Sequence, residues 1–203
     1  MIINICYNNQ DYRIDTKNSF DISIPYKFNG DQPNFYNVNR GQSIPLISGE
    51  TTYSVAAGAG CNVSEISMNI HCTGTHTEYV GHLLEDPGDI GMVLKDIIIP
   101  AILITVDPTS FVDTEESYHC SVNDNESVVS RQSILKEVEK WKDHQPKALI
   151  IRTTPNAEDK KCYQYTKNPS PFFTNDSLRY IINLGIQHLV VDLPSIDRIS
   201  DNG

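Results

Sequence analysis

The sequence predicts a single mixed α/β domain whose parallel strands lie in the second half of the chain. Between Ile97 and Asp192, apolar segments alternate as strand, helix, strand, helix and strand, which is typical of parallel βαβ units. The first half carries short apolar runs between Asn-, Gly- and Pro-rich stretches, which favours antiparallel pairs. A length of 203 residues is enough for one such core. No break in composition marks a linker, so we expect one domain over residues 1–203.

In the first half, the segments "IINI" and "DISIPYKF" predict short strands, and "FNGDQPNFYNVNRG" predicts a loop. The segment "VSEISMNIHC" predicts the clearest strand, because its side chains alternate between apolar and polar. One face would carry Ile66, Met68, Ile70 and Cys72, and the other Glu65, Ser67, Asn69 and His71. We therefore expect Cys72 to pack in the core and His71 to face a polar pocket.

In the second half, "IIIPAILITV" predicts a strand that is buried on both faces, and "KALIIRT" and "HLVVD" predict two further buried strands. Ser130 is the expected N-cap of a helix that ends before Pro146. Its predicted apolar positions are Ile134, Leu135, Val138 and Trp141. A second helix is predicted to begin near Thr174 or Asn175 and to end at Gly185. It is expected to bury Leu178, Ile181 and Ile182.

Composition narrows the classes of partner. A formal net charge of −10 argues against nucleic acid, because phosphate contacts need an excess of Lys and Arg. No apolar run approaches the roughly 18 residues that span a bilayer, and the N-terminus lacks the basic start of a signal peptide. Five cysteines without a CxxC pair predict reduced thiols in the cytoplasm. The expected partner is a small-molecule substrate, with neither membrane nor nucleic acid.

Residues 71–82, "HCTGTHTEYVGH", hold three of the six histidines. His76, Glu78 and His82 are separated by even steps, so an extended segment would project all three from one face. A bend at Gly74 would bring His71 toward them. Neutral imidazole and carboxylate are ligands that Zn²⁺ and Mn²⁺ accept, and His82 would then be placed for proton transfer. By spacing alone, solvated surface side chains explain the segment equally well.

The segment also resembles the signature H-x-G-T-H-x-D-x-P-x-H of the metal-dependent cyclase family, which includes bacterial kynurenine formamidases and isatin hydrolases. Gly74, Thr75, His76 and His82 match it directly. The segments "FDISIPYKFNGDQPNFY", "ALIIRTTPN", "NPSPFFT" and "GIQHLVVDLPSID" are similar to further family motifs and occur in the same order. A branch with the variant H-x-x-G-T-H-T-E looks similar to this chain.

The resemblance implies a β-barrel-like sheet with outer helices, or a mixed sheet, and the hydrolysis of a small amide C–N bond. The substrate would be an arylformamide such as N-formylkynurenine, or a cyclic amide. One or two Zn or Mn ions are implied, with His71, His76 and Glu78 as metal ligands and His82 as the catalytic acid/base. Loop aromatics are candidate substrate walls, although core packing explains them equally well: Phe35, Tyr36 and Phe172. A homo-oligomer is also implied.

The sequence departs from the signature at three positions. Glu78 stands where the family has Asp, Val80 where it has Pro, and Cys72 where it has the first His. We interpret the last difference as a one-residue insertion that leaves His71 in the ligand position. A later His and Glu, which complete the site in the family, are absent after Asp197, so we expect the chain to be truncated at its C-terminus.

Two other functions remain open from the sequence. A protein that had lost half of its site would be a binding protein or a catalytically impaired one with the same fold. A weaker alternative is a hydrolase that uses Cys72 as its nucleophile. His119 and His144 lie in polar segments and are predicted to be solvated, and Cys120 has no patterned partner.

Overall fold

The computed structural model describes residues 1–201, so Asn202 and Gly203 of the predicted domain lie outside it. The α-helices are α1 (Ile70–Thr73), α2 (Ile90–Val93), α3 (Arg131–Val138) and α4 (Asn175–Asn183). The strands are β1 (Ile2–Tyr7), β2 (Gln10–Asp15), β3 (Gln42–Pro45), β4 (Ile47–Ser48), β5 (Thr51–Thr52), β6 (Ser64–Ser67), β7 (Ala101–Val106), β8 (Thr109–Ser110), β9 (Ser127–Val129), β10 (Ala148–Thr153), β11 (Phe172–Phe173) and β12 (His188–Val191).

The core is a parallel sheet of three strands in the order β12–β10–β7. Ala148, at the start of β10, pairs with Ala101 on one side and His188 on the other. This arrangement confirms the predicted parallel strands of the second half. Helices α3 and α4 contribute Ile134 and Ile181 to the same buried cluster as the sheet.

Both long helices begin where the sequence predicts. The Ser130 hydroxyl accepts a hydrogen bond from the Ser133 amide at 3.2 Å, and Thr174 accepts one from the Ser177 amide at 3.0 Å. These caps satisfy amides that have no partner within the helix. The predicted burial of Ile182 is wrong, because that side chain points away from the sheet and is 70% exposed.

The remaining strands form small, separate sheets. The pairs β1–β2, β3–β6 and β4–β5 are antiparallel, which confirms the prediction for the first half. A further sheet has the order β11–β9–β8. Within residues 1–201 these sheets stay open and no barrel closes, so the barrel-like alternative is wrong and the mixed α/β architecture is confirmed. No helix in this part of the chain is long and apolar enough to cross a membrane.

Three strand predictions need correction. Residues 21–28 ("DISIPYKF") are irregular rather than a strand. In "VSEISMNIHC" only Ser64–Ser67 is a strand, and Ile70–Thr73 is a helical turn. In "IIIPAILITV" the strand begins at Ala101, and its burial alternates, so that one face is buried and Leu103 on the other face is 48% exposed. Side-chain alternation and apolarity are weak guides where a segment packs on only one side.

Candidate metal centre

His71 lies on the helical turn α1, for which Asn69 is the N-cap. The Asn69 side chain accepts a hydrogen bond from the Cys72 amide at 3.1 Å, and this cap favours the turn over a continued strand. Two contacts hold the turn against the loop that precedes β3. The Phe35 amide donates to the Cys72 carbonyl at 3.0 Å, and the hydroxyls of Tyr26 and Thr73 lie 2.8 Å apart.

After α1 the chain becomes extended at Gly74 and passes beneath the Tyr26 ring. A Cβ atom on Gly74 would lie 3.2 Å from that ring, so glycine permits the close approach. Thr75 then accepts a hydrogen bond from the Ile24 amide at 2.9 Å. These contacts fix the predicted bend, and they show that residues 20–28 lie over the histidine segment without forming a strand. No pattern in the sequence indicates the roles of Tyr26 or Asn69.

Glu78 lies between two of the histidines. Its Oε2 atom is 3.2 Å from His71 Nδ1 and 3.8 Å from His76 Nε2. The other ring nitrogen of His76 lies 2.8 Å from the Gly74 carbonyl oxygen. A carbonyl only accepts, so Nδ1 carries the proton and Nε2 keeps its lone pair for a proton or a cation.

His82 lies on a 3₁₀ turn, Val80–Leu83, which follows Tyr79. Its ring centroid is 4.4 Å from that of His71, and one potential ligand atom from each of His71, Glu78 and His82 lies within 4.8 Å of the others. The structure therefore brings all four predicted site residues into one cluster, with His76 on its opposite side. Val80, where the family signature has Pro, is the first residue of the turn, a position that either residue suits.

The predicted strand faces that separate His71 from Cys72 are wrong. These residues lie on a helical turn, and the supposed core face of the preceding segment is exposed: Ile66, Met68 and Ile70. Cys72 is half-buried, and burial raises the pKa of its thiol. A raised pKa disfavours the thiolate that a Cys72 nucleophile would need.

The donor set fits a divalent cation of the Zn²⁺ or Mn²⁺ type. His71, Glu78 and His82 each place one donor atom within 4.8 Å of the others, and His76 Nε2 lies 3.8 Å from the same Glu78 oxygen, so an ion bound at Glu78 could reach a histidine on either side. The side chains of His71 and Glu78 are 44% and 51% exposed, so water and ligands reach them. The His76 side chain is only 17% exposed, and its ring is therefore the most firmly held of these three groups.

Asp197 lies in the segment that follows β12, and the charge of Glu78 is felt at its carboxyl. Burial is the main cause that raises the pKa of its carboxyl; the neighbouring His119 ring opposes the rise, and the negative charges of Asp201 and Glu78 add to it. This position agrees with the general tendency of ligands to collect at the carboxyl ends of parallel strands.

The three predicted substrate walls differ in accessibility. Phe35 and Phe172 are 6% and 2% exposed, which favours the packing alternative for both, whereas Tyr36 is 52% exposed. A cavity of 510 Å³ lies elsewhere, at the amino ends of the parallel strands, and Trp141 and Tyr180 line it. No residue of the histidine cluster lines this cavity, so it is not the substrate pocket of that site.

A family model described as "Putative cyclase" matches residues 20–198. The chain belongs to the cyclase family. The matched region contains all four residues of the cluster and both long helices. No protein of curated function matches the chain. Family membership thus agrees with the resemblance of the histidine segment, while the reaction and the metal rest on the site itself.

Proposed function

We propose that this cyclase-family protein is a metal-dependent hydrolase that cleaves the C–N bond of a small amide, either an arylformamide such as N-formylkynurenine or a cyclic amide. The observation that carries the proposal is the convergence of His71, His76 and His82 on Glu78 within one short segment. Such a donor set on an exposed surface has little value for stability, since exposed ion pairs contribute about 0–1 kcal/mol.

His71, His76 and Glu78 would hold the cation. The Glu78 Oε2 atom already faces a nitrogen of each histidine, and the Gly74 carbonyl keeps the His76 ring in the tautomer that a metal ligand requires. A bound Zn or Mn ion would lower the pKa of a coordinated water toward about 7 and polarise the amide carbonyl. Glu78 is one methylene longer than the family's Asp, so it can reach a second ion from the same backbone position.

His82 would move the protons. An amide nitrogen is a poor leaving group until it is protonated, so hydrolysis needs a group that takes a proton from the attacking water and delivers it to nitrogen. The imidazole of His82 lies against that of His71, and His82 is exposed, so solvent and substrate can reach it. Tyr36 is the accessible member of the predicted substrate walls.

A non-catalytic binding protein is the second candidate. The high exposure of Glu78 and the Asp-to-Glu difference favour it, because a hydrolytic site usually excludes bulk water. One assay separates the two. Protein reconstituted with Zn²⁺ or Mn²⁺ is incubated with an N-formyl aromatic amine, isatin and a cyclic imide, and product formation is measured.

The hydrolase proposal expects turnover of at least one of these amides that disappears on chelation and returns on adding metal. Metal bound at the cluster without hydrolysis of any of the three would favour the binding protein. The Glu65→Gln variant is a suitable control, since Glu65 is an exposed carboxylate on β6, outside the cluster.

A further inference from the structure

A second group of potential metal ligands lies outside residues 71–82. It consists of His119, Cys120 and Asp201, and one potential ligand atom from each lies within 4.8 Å of the others. Cys120 Sγ is 3.3 Å from Asp201 Oδ1, and His119 Nε2 is 3.8 Å from Asp201 Oδ2. Residues more than 80 positions apart in sequence thus present nitrogen, sulfur and oxygen to one point.

We propose that His119, Cys120 and Asp201 form a zinc site that is separate from the candidate hydrolytic centre. Neighbouring ligand atoms around a tetrahedral Zn²⁺ are roughly 3.3–3.7 Å apart, given Zn–N and Zn–S bonds of about 2.0–2.3 Å. The two measured separations to Asp201 lie within or close to that range. A thiolate among the ligands selects zinc over the harder ions Mg²⁺, Ca²⁺ and Mn²⁺.

The surroundings of Asp201 resemble the outer shell of a metal site. Its side chain is 5% exposed, and the Tyr118 hydroxyl donates a hydrogen bond to Oδ2. Ligating carboxylates are usually oriented by such a donor. The Tyr118 ring packs on Phe172 with centroids 4.7 Å apart, so the donor itself is fixed by the core.

Arg198 is the group that competes with a cation here. Its Nη1 atom lies 3.6 Å from Asp201 Oδ1. The same guanidinium donates to Glu126 at 2.7 Å and to the Ser121 carbonyl at 2.9 Å. Those two partners would keep it in place when zinc takes the carboxylate, and Glu126 would balance its charge.

Zinc at this point would join two segments of the chain. Residues 118–126 would be cross-linked to the segment after β12, four residues from Asp197. With three protein ligands, the fourth position of a tetrahedral zinc would be taken by water from the solvent-exposed side of His119.

Cobalt substitution gives a direct test, because a Co²⁺–thiolate bond absorbs in the near-ultraviolet and nitrogen or oxygen ligands do not. The wild-type protein loaded with Co²⁺ is expected to show this band, and Cys120→Ser to lack it. Cys162→Ser, which removes another exposed cysteine, and His71→Ala, which damages the first site, are both expected to keep it. Tyr118→Phe keeps the ring and should weaken zinc binding about tenfold or more.

A wild-type protein without the thiolate band, or a Cys120→Ser variant that retains it, would overturn the proposal. Circular dichroism checks that each variant folds. If Cys120→Ser does not fold, alkylation of the wild type decides instead: zinc must protect Cys120 and leave Cys162 reactive. Equal reactivity of the two thiols would also refute the site. Neither result depends on whether the protein hydrolyses amides.

Discussion

The Nδ1 atom of His71 lies 3.2 Å from the Oε2 atom of Glu78, although seven positions separate them in sequence. The contact exists because one helical turn, an extended bend and a 3₁₀ turn follow each other within residues 70–83. In the absence of a cation this pair forms a hydrogen bond. The same geometry would let both atoms ligate one ion.

The roles of the histidines predict a split between binding and catalysis. His82→Ala is expected to retain metal while losing about 10²–10⁴-fold in kcat, the range for removing a general acid or base. His76→Ala, in contrast, is expected to lose both kcat and metal affinity, since the His76 Nε2 atom faces Glu78. Metal content and kinetics of both variants check this, and loss of metal from His82→Ala would make His82 a ligand.

Gly81 is predicted to be essential for the position of His82. A Cβ atom there would lie 2.6 Å from the Pro87 carbonyl oxygen and would also strike the Tyr79 ring, so the turn must shift. Gly81→Ala should cost about 1–3 kcal/mol in the free energy of unfolding and lower kcat. Gly60→Ala is the matched control, because a Cβ atom on Gly60 would meet no other atom within 4 Å. Urea unfolding should leave the control unchanged, and equal losses in the two variants would refute this role of Gly81.

The Glu126–Arg198 pair predicts acid sensitivity. Burial raises the pKa of Glu126, but hydrogen bonds from Arg198 and Asn123 outweigh it and bring the pKa below the ordinary 4.5. A carboxyl whose pKa is lower in the folded protein than in the unfolded chain stabilises the fold at pH values above its pKa in the unfolded chain. That stabilisation is lost as the pH falls through its pKa in the folded protein. Glu126→Gln should therefore be less stable by about 1 kcal/mol at neutral pH.

This difference should shrink as the pH falls below 4.5 and vanish under more acid conditions. The free energy of unfolding, measured for both proteins across that range, checks it. A difference independent of pH would show that the ion pair is not its source.

Self-association is a further prediction. The accessible surface is 13821 Å², whereas a compact monomer of 22.8 kDa is expected to expose about 9,600 Å². Large apolar side chains between residues 44 and 98 are exposed, among them Leu83, Met92 and Ile97 by 74%, 68% and 96%. Exposed apolar surface of this kind is commonly covered when copies of a chain associate.

Light scattering should then show a dimer or larger species at micromolar concentration. Ile97→Glu should shift it toward the monomer, whereas Ile182→Glu, another highly exposed position, on α4, should not. A wild-type monomer would contradict the prediction.

The second half of the fold is predictable because its signals are local and agree with one another. Ser130 and Thr174 are strong capping residues. Apolar strands that alternate with helices are typical of a parallel sheet, because each helix provides the crossover between two parallel strands. In the first half the antiparallel pairing is predictable but the burial is not, because side-chain alternation at Ile66, Met68 and Ile70 predicts a buried face, whereas all three side chains are exposed. The Asn69 cap replaces the end of the predicted strand by a turn.

Site residues are predictable by type and spacing, but their geometry is not. Strand parity assigns His71 to the cluster, and it lies there for a different reason, the orientation of α1. The contributions of Tyr26 and Thr75 depend on a loop packing across the segment, which no local pattern encodes. From the sequence, His119 is predicted to be solvated. Its proximity to Asp201 could not be foreseen, because only the tertiary structure brings the two residues together.

Metal content of the His71→Ala and Cys72→Ala variants decides whether the histidine cluster is a metal site. Both are prepared with Cys120→Ser, so that the proposed second site does not contribute. His71→Ala is expected to lose its Zn or Mn, because Nδ1 is a ligand, and Cys72→Ala to retain it at a cost of about 1 kcal/mol in stability. Metal retained by His71→Ala, or lost only from Cys72→Ala, would contradict the proposed ligand set.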